Sequence, residues 1–213
     1  DLITFIKKNQ DILGEKMSCY KYWGKLEEIA NKLSSYGDLD KYGNSQLDDI
    51  NIDEIIEILD DVEIIAHDKT IDFDSAKHIL DDEKMNKALK LIRKFYVYIG
   101  ARLETENALK ILKSDNPTKT LDSFHFYDRY IGLVENESQL AKFNEEKTFV
   151  FLGSGPLPLT LIMFNKVFGC KCIGIEQQRD VAELSVKVLE RLGLDEDIKI
   201  VVGDETTIRD LDY

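Results

Sequence analysis

Three groups of residues in this chain have the types and spacing of a ligand-binding turn. They are Gly153, Ser154, Gly155, Pro156, Leu157 and Pro158, then Glu176, then Gly203 and Asp204. Glycine at 153 and 155 lets the backbone reverse with no Cβ between it and a ligand. Glu176 stands 21 positions beyond Gly155, close to the ~20-residue interval at which a strand-end carboxylate accepts ribose hydroxyls. Asp204 puts a second acid at a strand end, where open α/β sheets bind their ligands. The chemistry implied is recognition of a nucleoside. The plainer alternatives are a solvated strand-end acid for Glu176 and an ordinary turn residue for Asp204.

Pro158 occupies the position where a dinucleotide fingerprint of the G-x-G-x-x-G type has its third glycine, the one that brings helix and strand together around a pyrophosphate. The turn therefore suits S-adenosylmethionine better. That ligand carries no phosphate, and needs only room for its adenosine and amino-acid tail, with Glu176 on the ribose.

The elements that position these residues follow from the pattern around them. Phe149, Val150, Phe151 and Leu152 have the composition of a covered parallel strand, and Cys172 to Glu176 and Ile198 to Val202 supply two more. Pro158 suits the first turn of the helix between the first two strands, where a missing N–H costs nothing. Val181, Leu184, Ser185, Val188, Leu189 and Leu192 mark a second helix that Gly193 stops. Strand, helix, strand, helix, strand reads as half of a doubly wound sheet. Three strands make a short sheet, so the pattern is that of a domain truncated at its C-terminus.

Upstream the rhythm is helical. Cys19, Trp23, Leu26, Ile29, Ala30 and Leu33 form one stripe, and Gly37 to Asn51 a loop. Asn51 can cap a helix with Glu54 at the capping-box position and Ile52, Ile55, Ile56, Leu59, Val62 and Ile65 or Ala66 on its buried face. From Asp82, the residues Met85, Ala88, Leu89, Ile92, Phe95, Tyr96, Ile99 and Leu103 predict a long helix, broken near Asn116 and Pro117. Leu121 to Phe143 reads as short helices. The expected organisation is a helical N-terminal domain over 1–146 and an α/β domain over 147–213, with the boundary in the polar segment 144–147.

Composition narrows the partners. A hydrophobic share of 43% in 213 residues is enough for real cores. A formal charge of −13 argues against nucleic-acid phosphates and anionic membranes, while tolerating a cationic small substrate. No apolar run approaches the ~20 residues needed to span a bilayer, and the N-terminus lacks a secretory pattern, so cytoplasm is the expectation. Cys19, Cys170 and Cys172 lack the spacing of a zinc site, and Cys170 and Cys172 read as buried thiols on one strand face. His67, His78 and His125 are scattered; no metal site is expected.

Taken together, the turn GSGPLPLT at 153–160, Glu176 and the GDET run at 203–206 resemble the nicotianamine synthase family. Met17 to Tyr20 with Tyr22 and Trp23, Glu63 to Leu80, Leu91 to Tyr96 and the aromatic cluster Phe124 to Tyr130 extend the resemblance, especially to archaeal members, over roughly 17–213. It implies a helical bundle domain packed on a Rossmann-like S-adenosylmethionine domain. It further implies a transferase that moves the aminocarboxypropyl group of S-adenosylmethionine to an amine, such as glutamate or a second S-adenosylmethionine, and releases methylthioadenosine. The product would be a nicotianamine-like metal chelator. In this alignment Glu104 and Tyr130 match the family's catalytic glutamate and tyrosine: Tyr130 would orient or deprotonate the attacking nitrogen and Glu104 would hold the acceptor's ammonium. Glu106 and Tyr127 offer the same groups in neighbouring registers. The turn and Glu176 would serve an S-adenosylmethionine-dependent methyltransferase equally, or a module that binds the nucleoside without turning it over.

Overall fold

The computed structural model describes residues 22–36, 51–66, 68, 71–141 and 147–211. Cys19, the 17–20 motif, the body of the loop that ends at Asn51, His67 and most of the polar segment before the first strand lie outside the described residues. The chain falls into two compact units, 1–100 and 101–213. The division comes inside one continuous helix, while the change from helical to strand rhythm comes later, after residue 147.

The first unit contains helical residues 22–34 (α1), Ile52–Ala66 (α2), Phe73–Asp81 (α3) and the first part of Glu83–Lys113 (α4). The expected stripes are buried: Leu26, Ile29, Ala30 and Leu33 on α1, Ile55, Leu59 and Ile65 on α2, and Met85, Ile92, Phe95 and Ile99 on α4. Of the two residues the spacing allowed at this end of the stripe, Ile65 is buried and Ala66 is exposed. The Asn51 Oδ1 accepts from the Asp53 amide at 3.1 Å, and the Asp82 Oδ1 from the Met85 amide at 2.9 Å, so both helices begin where short polar side chains can cap them. Helix α3 escaped the periodicity reading for a physical reason. Its Phe73 and Leu80 are exposed, and among its described side chains only Ile79 is buried, which leaves no repeating apolar stripe to see. Lys25 with Asp61 (3.1 Å), Tyr96 with Glu63 (2.7 Å) and Tyr22 with Asp68 tie this unit's helices together.

The second unit contains the rest of α4, then Pro117–Asp122 (α5), Tyr127–Ala141 (α6), Phe149–Leu152 (β1), Leu159–Phe168 (α7), Cys172–Glu176 (β2), Arg179–Leu192 (α8), Ile198–Val202 (β3) and a short 3-10 helix, Glu205–Asp210. The predicted break after α4 is real: the Asn116 Oδ1 accepts from the Lys119 amide at 3.0 Å, with Pro117 opening α5. The sheet is parallel throughout, in the order β1-β2-β3, with Phe149 opposite Cys172 and Gly174 opposite Ile200. Because that order is sequential and parallel crossovers are right-handed, α7 and α8 share one face. Helix α6 lies against α7 and α5 against α8. The core joins Ala108, Ile111, Leu121 and Val134 from the outer helices to Leu161, Phe164, Val188 and Ile198. This is a Rossmann-like α/β architecture.

One strand position sets the tolerance of this packing. A Cβ on Gly174 would stand 2.7 Å from the Ile200 and Leu161 methyls and 2.8 Å from the Ser154 Cβ, so glycine is needed for α7, the turn that precedes it and the Ile200 side chain of β3 to close on β2. Phe149 stacks on Phe164 at 3.7 Å between ring centres. Cys170 and Cys172 are buried free thiols 3.8 Å apart, donating to the Phe164 and Leu161 carbonyls of α7. Pro158 differs from expectation by one position: it is the N-cap, and α7 starts at Leu159. Its carbonyl accepts the first helical bond, from Ile162 at 3.0 Å. No helix among the described residues is long and apolar enough to cross a membrane.

Candidate active site

The turn after β1 is held by the end of β2. The Gly153 and Ser154 amides donate to the Ile175 carbonyl at 2.7 and 3.3 Å, and both glycines adopt left-handed backbone, with φ of 77° at Gly153 and 69° at Gly155. Glu176 is buried, at 8% exposure, and therefore not the solvated strand-end acid that its position alone allowed. Its Oε2 accepts from the Gly155 amide at 3.1 Å and its Oε1 from the Gln178 amide at 3.0 Å. Its carbonyl takes the Gly203 amide at 3.0 Å. Glu176 thus joins the C-terminal ends of all three strands. A carboxylate has about four acceptor sites, so two such bonds leave capacity for ligand hydroxyls.

The other sequence-predicted residues of the turn divide by environment. Ser154 is buried and its Oγ has no hydrogen-bond partner among the described residues. Pro156 is buried, and the Leu157 side chain is part of the hydrophobic core; any contact of Leu157 with a ligand belongs to its backbone. Asp204 is exposed. Its Oδ1 accepts from the Thr206 amide at 2.9 Å and hydroxyl at 2.6 Å, capping the 3-10 helix, and the Thr206 hydroxyl above all holds its carboxyl below the usual range.

Above the turn, α4 and α6 bring Glu104 and Tyr130 together across 26 residues of sequence. The Tyr130 hydroxyl donates to the Glu104 Oε1 at 3.1 Å. The other oxygen, Oε2, faces the α-carbon of Gly155, where a Cβ would stand 3.0 Å away. Burial pushes the Glu104 carboxyl up to about 7, against the opposing pull of the Tyr130 hydrogen bond. Burial, and then the Glu104 charge and hydrogen bond, push the Tyr130 phenol well above its ordinary value, with Arg129 pulling the other way. A carboxyl titrating near neutrality can exchange a proton at neutral pH, while such a phenol stays protonated and acts as a fixed donor.

The neighbouring candidates have other partners. Glu106 pairs with Arg102 at 3.1 Å, and the Tyr127 hydroxyl accepts from the Lys166 ammonium at 3.2 Å. Sequence reasoning passed over Asn107, which is buried on α4 with its Oδ1 lacking a donor among the described residues. The signal was available: an amide midway between Leu103 and Ile111 on an apolar stripe. Among the described residues, no group of three His, Cys, Asp or Glu could hold a metal ion.

The family model described as nicotianamine synthase protein matches residues 26–199. The chain belongs to the nicotianamine synthase family. It is similar to a solved structure of a mutant of MtNAS in complex with S-adenosylmethionine, at 45% identity and TM-score 0.78, over 90% of this chain and 69% of that one. It is also similar to MtNAS in complex with MTA and tNA, at 46% identity and TM-score 0.80, over 90% of this chain and 70% of that one. No curated protein matches the chain. In this member of the family, the glycine turn, Glu176 and the Glu104–Tyr130 pair come together around Gly155.

Proposed function

We propose that this chain acts as a nicotianamine synthase, transferring the aminocarboxypropyl group of S-adenosylmethionine to an amine and releasing methylthioadenosine. The observation that carries this reading is the position of Gly155. Its amide is held by Glu176, and its α-carbon lies under the carboxyl of Glu104, which is bonded to Tyr130. A ligand whose ribose sits on Glu176 thereby presents its sulfonium side to the acid–phenol pair. MtNAS, similar over most of this chain, has been solved with S-adenosylmethionine and with MTA, the pair expected of such a transfer.

A sulfonium offers three carbons to a nucleophile, and the one attacked is the one an amine can reach in line with its bond to sulfur, so orientation is the main catalytic resource. The amine nitrogen forms a bond to the methionyl γ-carbon as the carbon–sulfur bond breaks. The electron pair of that bond goes to sulfur, and neutral methylthioadenosine leaves. Glu104 holds the acceptor's ammonium and takes its proton, which a carboxyl near 7 can do at neutral pH. Tyr130, kept as a phenol, orients the pair. Gly153, Ser154, Gly155 and the backbone at Pro156 and Leu157 form the cradle, Glu176 grips the ribose, and Asp204 borders it. Glutamate or a second S-adenosylmethionine serves as acceptor, and the linked aminobutyrate units of the product chelate metal outside the enzyme. The enzyme works in the cytoplasm on small molecules.

Incubating the protein with S-adenosylmethionine, with and without amino acids, and weighing the products tests this directly. Methylthioadenosine and a product heavier by one aminocarboxypropyl unit are expected. S-adenosylhomocysteine instead would make it a methyltransferase, and binding without either product a nucleoside-binding module.

A further inference from the structure

We infer that Glu104 is the counter-ion of the sulfonium, so that its ionised form selects S-adenosylmethionine over neutral thioethers such as the nucleoside product; this rests on the transfer reading above for where the ligand lies. Gly155 fixes the geometry. A Cβ on its α-carbon would stand 3.0 Å from the Glu104 Oε2, while its amide meets Glu176. The two Glu104 oxygens are in different situations. Oε1 accepts from the Tyr130 hydroxyl at 3.1 Å. Oε2 has no hydrogen-bond partner among the described residues, and the half-buried side chain leaves it open, unlike the sealed oxygens of Ser154 and Asn107. An accessible carboxylate oxygen over the glycine turn is therefore free to meet a cation. Glu176 does not take its place, because its two oxygens accept the Gly155 and Gln178 amides at 3.1 and 3.0 Å and serve the ribose side.

The chemistry selects a sulfonium for that cation. A charge that leaves water without a partner is costly, and opposite charges attract more strongly in a partly desolvated site than in water. Before transfer the site holds a carboxylate and a sulfonium. The amine nitrogen then bonds to the methionyl γ-carbon, the electron pair of the carbon–sulfur bond goes to sulfur, and the nitrogen's proton passes to Oε2. Afterwards the site holds a carboxyl and a thioether, so this pair is neutral on both sides of the step. Once Glu104 ionises again, it favours another S-adenosylmethionine over methylthioadenosine. The groups around it leave it this role. Tyr130 on α6 is a neutral phenol, with Arg129 acting on that phenol, and on α4 Arg102 is paired with Glu106 at 3.1 Å. Burial, opposed by the Tyr130 hydrogen bond, brings the free carboxyl to about 7. A sulfonium beside it pulls that value down, so binding releases a proton near neutrality and tightens as pH rises toward 7. A neutral thioether does neither.

Calorimetry with S-adenosylmethionine and S-adenosylhomocysteine isolates the charge, since the second ligand keeps the adenosine and the amino-acid tail and lacks the sulfonium methyl. In the parent, the preference for S-adenosylmethionine should grow about fivefold or more between pH 6 and pH 8. Glu104→Gln should hold that preference constant to within about twofold, whereas titration of the ligand's own amino group would survive in the variant. At pH 6.5, S-adenosylmethionine should displace about half a proton or more from the parent, read from buffers of different ionisation enthalpy, and S-adenosylhomocysteine none. A preference that stays flat in the parent, or grows equally in Glu104→Gln, overturns the inference. So does the absence of proton release in the parent, a readout that needs no variant to fold. Methylthioadenosine release from S-adenosylmethionine and L-glutamate is followed alongside. A flat preference in a protein that releases methylthioadenosine overturns this inference alone; no methylthioadenosine from a protein with the expected preference overturns the transfer reading alone.

Discussion

Gly155 and Glu104 are in contact range across the site: a methyl group built on the Gly155 α-carbon would stand 3.0 Å from the Glu104 Oε2. The opposite side of the same residue donates its N–H to Glu176 at 3.1 Å. One glycine therefore spaces the Glu176 carboxylate from the Glu104 carboxyl, and its φ of 69° lies in the region that side chains resist. Gly155→Ala adds left-handed strain of about 1–2 kcal/mol and displaces Glu104 by tenths of an ångström. Since the amide that meets Glu176 is retained, catalysis should suffer more than binding. We expect methylthioadenosine release to fall at least tenfold while the S-adenosylmethionine Kd rises by a smaller factor. Equal loss in both would mean that Gly155 serves only the cradle.

Glu104 makes stability depend on pH in a specific direction. Its folded value of about 7 lies above the ordinary carboxyl value of 4.5, so between those limits the folded state binds more protons than the unfolded one. Stability from this group is present at pH below about 4.5 and is lost as pH rises toward 7. Glu104→Gln removes the buried charge. It should therefore be more stable than the parent above pH 7, by roughly 3 kcal/mol at most, with the difference shrinking toward zero near pH 4.5. Urea unfolding at pH 5, 6 and 8 measures this. A difference that does not grow with pH would contradict a buried, ionising Glu104. The same variant should lose the limb of activity that rises near pH 7.

Glu176 uses both oxygens as acceptors for backbone amides. In Glu176→Gln, one of those oxygens becomes an NH2 group that faces an N–H and cannot accept from it. The loss is one bond inside the turn plus the charge on the ribose side. An S-adenosylmethionine Kd at least tenfold weaker is expected, equivalent to about 1.4 kcal/mol, together with a lower Tm. Parent-like affinity by calorimetry would remove Glu176 from the ribose site.

Much of this arrangement was legible in the chain because it rests on local chemistry. The two-residue glycine interval, the apolar strands at 149–152 and 172–176 and the acid 21 positions beyond Gly155 follow from backbone freedom and burial, which act over a few residues. The same holds for α4, whose apolar stripe announced it from Asp82 to the break at Asn116 and Pro117. Helix α3 was not announced, because a helix that buries one apolar side chain has no period to detect. Glu104 and Tyr130 could be named by resemblance alone; nothing in their own neighbourhoods distinguishes them from Glu106 and Tyr127.

Local composition thus determined the elements, the cradle and the acid at the end of β2. What tertiary structure alone decided is the environment of the side chains. The carboxyl of Glu104 is raised because folding buries it against α6 and sets it over Gly155. Glu176 turns back into the turn because parallel pairing aligns the ends of β1 and β2. The Asn107 Oδ1 has no donor among the described residues because packing closes its helix face. Desolvation and hydrogen-bond partners arise between segments far apart in the chain, so no local pattern carries them.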